Sequence, residues 1–89
     1  MRASSRRDTL SILSDLLENM KEPKRITHLL YTSNLSYSQL RKYLKMIVQM
    51  GLSEEHKTPF HSFKITLEGL SFVNMVRKRQ LMIAPVILD

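Results

Sequence analysis

At 89 residues the chain is one domain's worth of sequence. Its 43% apolar content is enough for a core, but a domain this small buries only about two-thirds of its unfolded surface. Fourteen Lys and Arg against eight Asp and Glu give a net charge of +6, which suggests a polyanionic partner or an anionic surface, and the absence of cysteine excludes disulfide scaffolds, Cys-ligated metal centres and thiol catalysis.

No run of about 18 apolar residues is present to span a membrane. Met1–Arg7 carries three arginines with no apolar segment behind it of signal-peptide length, so a cytoplasmic location is expected. Residues 1–7 read as a basic N-terminal arm, in which Arg6 and Arg7 are candidate phosphate contacts. The alternative is a disordered, solubilising start.

In residues 5–20, apolar side chains at Leu10, Leu13, Leu16, Leu17 and Met20 mark one face of an amphipathic helix. Ser5 is its expected N-cap, Asp8 falls in its first turn, and Pro23 is expected to end it. A short second helix is expected from Thr27, as cap, to Ser33, with Ile26 as a short strand before it and Asn34 at its exit. The third helix opens on Ser36 and Gln39, an S-x-x-Q capping box. Leu40, Tyr43, Leu44, Ile47 and Val48 form its inward stripe, and the opposite side carries Ser38, Arg41, Lys42, Lys45 and Gln49, without an acid. Gly51 is placed to end it.

Beyond Gly51 the period changes to two. Residues 52–56 and 61–65 are candidate strands, and pairing Leu52 with Ile65 sets Glu54 opposite Phe63 and His56 opposite His61 around a four-residue loop. Thr66 then caps a last helix, expected to stop near Met82 ahead of Pro85. The tail 81–88 is almost wholly apolar.

The order helix, helix, tight turn, helix, hairpin, helix is the winged form of the helix-turn-helix motif. The expected fold is therefore mainly α with a small β-hairpin (α+β), in a single domain over 1–89: the arm 1–7, a helix-turn-helix plus wing over 8–66, and a C-terminal helix and apolar tail over 67–89. The segments Thr27-His28-Leu29-Leu30, Asn34-Leu35-Ser36-Tyr37-Ser38-Gln39-Leu40, Tyr43-Leu44, Gly51-Leu52 and Ile65-Thr66 with Gly69 carry a resemblance to the archaeal 10a-type winged-helix DNA-binding proteins and related small archaeal regulators.

That resemblance covers roughly residues 8–80. It implies binding of double-stranded DNA by a transcription regulator or chromatin-associated factor of the nucleoid, with the third helix in the major groove and the hairpin as a wing. It also implies a homodimer formed through the last helix. In the 10a-type proteins that helix is long and makes an antiparallel coiled coil; here Asn74 and Arg77 fall on the seam of Leu67 and Leu70, so there is no clean heptad.

Within this frame Arg41, Lys42 and Lys45 are candidate phosphate or base contacts, with Ser38 and Gln39 in the first turn and Tyr37 beside them. Lys57 and Lys64 are the wing candidates. The alternative for all of them is a solvated basic face. Leu70, Phe72, Val73, Val76, Leu81 and Ile83 are the dimerisation candidates. Arg77, Lys78 and Arg79 are read first as favouring the helix dipole at its C-terminal end.

His56, His61 and Glu54 could approach one another across the hairpin as zinc ligands, but two residues on a wing tip are a weak signal, and neither a metal nor a cofactor is expected. Nor is an enzyme: there is no nucleophile motif, and two glycines 18 residues apart make no phosphate loop. The competing function is a protein–protein interaction module using the apolar C-terminal helix and tail. A third reading is association with a membrane surface through that tail and the Arg77–Arg79 cluster.

Overall fold

The structure, a computed structural model, describes the backbone of residues 8–88 and the side chains of residues 8–79. The order is α1 (Thr9–Glu18), α2 (Ile26–Ser33), α3 (Tyr37–Gln49), β1 (Ser53–His56), β2 (Ser62–Ile65) and α4 (Leu67–Leu88). This is the expected α+β winged-helix order, a helical unit followed by an antiparallel hairpin.

The apolar faces meet in one core. Leu13, Leu16, Leu17 and Met20 from α1 pack with Leu29 of α2, with Leu40, Leu44 and Ile47 of α3, and with Leu52, Phe63, Ile65 and Val73. Fully burying a Leu or Ile side chain stabilises a fold by about 1.5–3 kcal/mol, so this cluster is the main favourable term. The buried Ser53 hydroxyl is satisfied by donating to the Lys64 carbonyl at 3.1 Å.

Helix ends explain where the elements start and stop. At α1 the N-cap is Asp8 rather than Ser5, which lies outside the described residues; the Asp8 carboxylate accepts from the Ser11 N–H at 2.8 Å. That bond holds the Asp8 carboxyl below its ordinary value, helped by the Ser11 side chain and, more weakly, by the Arg79 charge. The helix ends at Glu18, ahead of Pro23, with Asn19 as C-cap. Helix α2 starts earlier than expected: Ile26 is its first residue, not a strand, and the cap position is held by Arg25, two residues before Thr27, with no side-chain bond. The strand-like contact falls instead on Lys24, which exchanges hydrogen bonds of 3.0 and 2.9 Å with Phe63 and ties the α1–α2 connection to β2.

The turn into α3 follows its sequence signals. Asn34 adopts the left-handed conformation (φ 61°) and Ser36 and Gln39 form the reciprocal capping box. At the other end Gly51 has φ 79°, and Leu52 and Gly51 donate to the carbonyls of Ile47 and Val48 at 2.8 and 3.1 Å. These are the two bonds of a Schellman motif.

The hairpin register differs from expectation by one residue. Ser53 pairs with Ile65, Glu54 with Lys64, Glu55 with Phe63 and His56 with Ser62. Leu52 does not pair with Ile65: its N–H donates to the α3 cap, and its carbonyl accepts from the Thr66 N–H at 3.0 Å, which continues the observed register one residue beyond Ile65. The tip therefore holds one residue more than expected.

Helix α4 also departs from expectation, running through Pro85 to Leu88 instead of stopping near Met82. Pro85 has no N–H to donate to the carbonyl four residues back, so this last turn is held by fewer bonds than the rest of α4. The helix packs back on α1, where Arg77 forms an ion pair with Glu18. Among the described residues, no helix is long and apolar enough to cross a membrane.

Candidate nucleic-acid interface

The capping box fixes how α3 begins, and the Leu40–Leu44–Ile47 stripe fixes which side is buried. The remaining side is a helix face at 100° steps: Ser38, Arg41, Lys42, Lys45 and Gln49 are all exposed. These five line a groove of about 650 Å³ whose far wall is the hairpin, which contributes Glu55, Lys57, His61 and Phe63. Four fixed cations, Arg41, Lys42, Lys45 and Lys57, thus share one concavity. Overlapping fields of one sign raise the local concentration of a polyanion.

The other candidates are placed differently. Tyr37 is exposed at the start of α3 and lies 5.9 Å from the Arg41 guanidinium, measured to the ring centroid, a cation–π contact. Gln39 gives its side-chain oxygen to the Ser36 N–H at 3.1 Å, so its carbonyl serves the cap while its amide N–H groups remain free of that bond. Lys64 does not join the α3 groove. It lies on the other face of the hairpin, in a concavity with Lys21, Glu54, Thr66 and Glu68. Arg6 and Arg7 lie outside the described residues.

Glu55 is the groove residue that sequence reasoning missed. In the expected register Glu54 faces Phe63; in the observed one Glu55 does, and it sits in the α3 groove. A slip of one residue exchanges the two faces of a strand. Glu55 shares a 2.5 Å hydrogen bond with His61, and Glu54 shares one of 2.9 Å with His56. The two imidazoles therefore do not converge but go to carboxylates on opposite faces of the hairpin. Among the described residues, no group of three or more His, Asp or Glu is placed to hold a metal ion.

The dimerisation candidates divide along α4. Val73 and Val76 are 3% and 5% exposed, covered within the chain's own fold, and Phe72 packs partly buried against the core. Leu70 is partly exposed, and Leu67 (78% exposed) and Met75 (54%) stand clear of the core. Leu81 and Ile83 lie where α4 continues, and their side chains are outside the described residues.

Comparison with known proteins agrees with this architecture. The crystal structure of Sso10a-2, a DNA-binding protein from Sulfolobus solfataricus, matches with a TM-score of 0.80 over 91% of this chain and 86% of that one, at 22% identity. At that identity the likeness is one of fold. No curated protein matches the sequence. The sequence pattern of the winged helix-turn-helix family matches residues 6–84, nearly the whole chain, and the chain belongs to that family.

Proposed function

We propose that this protein binds double-stranded DNA, with α3 in the major groove and the hairpin as a wing against the phosphate backbone. The observation that carries the reading is the convergence of Ser38, Arg41, Lys42, Lys45 and Lys57 on one groove between α3 and the wing. The fork of Arg41 suits guanine O6 and N7, whereas the lysines act as point charges on phosphates. The DNA-binding activity of Sso10a-2, a protein of the same fold, supports the same reading.

The proposed working form is a homodimer joined through the exposed edge of α4, acting as a small transcription regulator or chromatin-associated factor in the cytoplasm, on the nucleoid. Two copies would present their α3 helices about one helical turn, roughly 34 Å, apart. A second reading, a module that docks another protein on that edge, is favoured by the exposure of Leu67 and Met75.

The test is fluorescence anisotropy of a labelled random duplex of about 30 base pairs, titrated at about 50 and about 200 mM salt. Micromolar or tighter binding that weakens by about tenfold or more with salt is expected. Replacing Arg41 and Lys45 together with Ala should weaken it at least about tenfold with an unchanged circular dichroism spectrum. Unchanged affinity would remove α3 as the contact surface, and no binding at low salt would leave the protein-docking reading.

A further inference from the structure

A second cationic surface lies where the start of α2 meets the hairpin loop. Lys24, Arg25, His28, Tyr31 and Phe60 line a concavity of about 490 Å³ that shares no residue with the α3 groove. Among the described residues lining it, none is acidic. The Arg25 guanidinium sits 4.3 Å from the centroid of the Phe60 ring. Tyr31 is 88% exposed, so its ring makes almost no contribution to the core.

Both kinds of side chain point to one chemistry. Lys24 and Arg25 suit phosphates, and Arg25 is exposed, its guanidinium held over the Phe60 ring. The Tyr31 ring suits the flat face of a base, and Phe60, half-buried beneath the Arg25 guanidinium, positions that cation beside it. In a duplex those faces are already stacked on one another, and only phosphates and groove edges are offered outward. A surface that combines cations with an exposed ring, Tyr31, therefore fits a single strand better than a double one, because every unpaired base offers a π-face. We propose that this surface is a second nucleic-acid site, which takes the unpaired bases of a single strand on Tyr31 and its phosphates on Lys24 and Arg25.

The site is independent of the α3 groove, so the two readings can fail separately. The probes are a fluorescein-labelled oligothymidylate and an oligouridylate of about 12 nucleotides, neither of which pairs with itself. Wild-type protein should raise the anisotropy of one or both. Tyr31→Ala should weaken that binding by about fivefold or more, Tyr31→Phe should restore it, and Arg25→Glu should weaken it by about tenfold. Tyr31 is too exposed for its loss to unfold the chain, and duplex affinity should stay within about twofold in Tyr31→Ala. The protein with Arg41 and Lys45 replaced by Ala should keep its strand binding while losing the duplex. The proposal is overturned if neither oligonucleotide binds, if Tyr31→Ala binds as the wild type does, or if Tyr31→Ala loses strand and duplex alike. Loss of strand binding in the Arg41 and Lys45 variant would also overturn it, by placing the strand in the α3 groove. Duplex binding that ignores Arg41 and Lys45 would count against the first reading alone.

Discussion

The Thr66 hydroxyl donates to the Gly51 carbonyl at 2.7 Å and accepts from the Gly69 N–H at 3.0 Å. One side chain thus joins the end of the groove-forming helix to the start of α4. The junction is tight enough that a Cβ on Gly69 would strike the Leu52 carbonyl oxygen and come within 2.6 Å of Ile65 Cγ1. Helix propensity alone would make Gly69→Ala stabilising by about 1 kcal/mol. The clash is with backbone, which cannot swing aside, and overpacking of this kind costs about 1–3 kcal/mol. The steric term should win: Gly69→Ala should lower the urea midpoint rather than raise it.

The carboxylate of Asp8 gives α1 a pH-sensitive start. Its folded value lies below the ordinary 3.8, mainly because the Ser11 N–H binds the charged form. The stabilisation is therefore complete above the unfolded value and is lost as pH falls through the lower folded one. Asn also caps helices but carries no charge. Wild type and Asp8→Asn should accordingly differ in stability at neutral pH, and the gap should close below pH about 4 in paired urea denaturations. A gap that persisted at low pH would mean that hydrogen-bond geometry, and not charge, sets the preference for Asp.

Neighbouring apolar residues on α4 should respond in opposite ways. Val73 is sealed in the chain's own core, so Val73→Ala should cost about 2 kcal/mol of stability. Leu70 is partly exposed, and Leu70→Glu should leave the fold intact. If the edge of α4 joins two copies, Leu70→Glu should shift the mass measured by light scattering from dimer toward monomer. A wild-type mass equal to one chain would remove the homodimer.

Local signals were legible in the sequence wherever a residue acts within its own turn. The Ser36–Gln39 box, the left-handed Asn34 and Gly51, and the Thr66 cap need only near neighbours, and each stands as its residue type implies. The cationic face of α3 was legible too, because the buried stripe fixes its opposite. What was missed depends on distant partners. The register turns on Leu52, whose N–H and carbonyl are taken by Ile47 and Thr66, and no alternation of side chains reports that. From that one residue follow the place of Glu55 in the groove and the separation of His56 from His61. The Arg25–Phe60 contact likewise joins positions 35 residues apart.

The same hairpin geometry separates two lysines that composition treats alike. Lys57 lines the α3 groove, whereas Lys64 is paired across the strands with Glu54 on the opposite face. A duplex seated on α3 would meet the first and not the second. A phosphate contact contributes about −0.9 to the log–log salt slope whatever the base sequence. Lys57→Ala should therefore weaken duplex binding several-fold and make the slope shallower by about one. Lys64→Ala, with the same change of net charge, should leave the slope as it is. Equal effects from the two would mean that the duplex senses only the overall charge of the protein, and that the hairpin does not lie against the backbone as a wing.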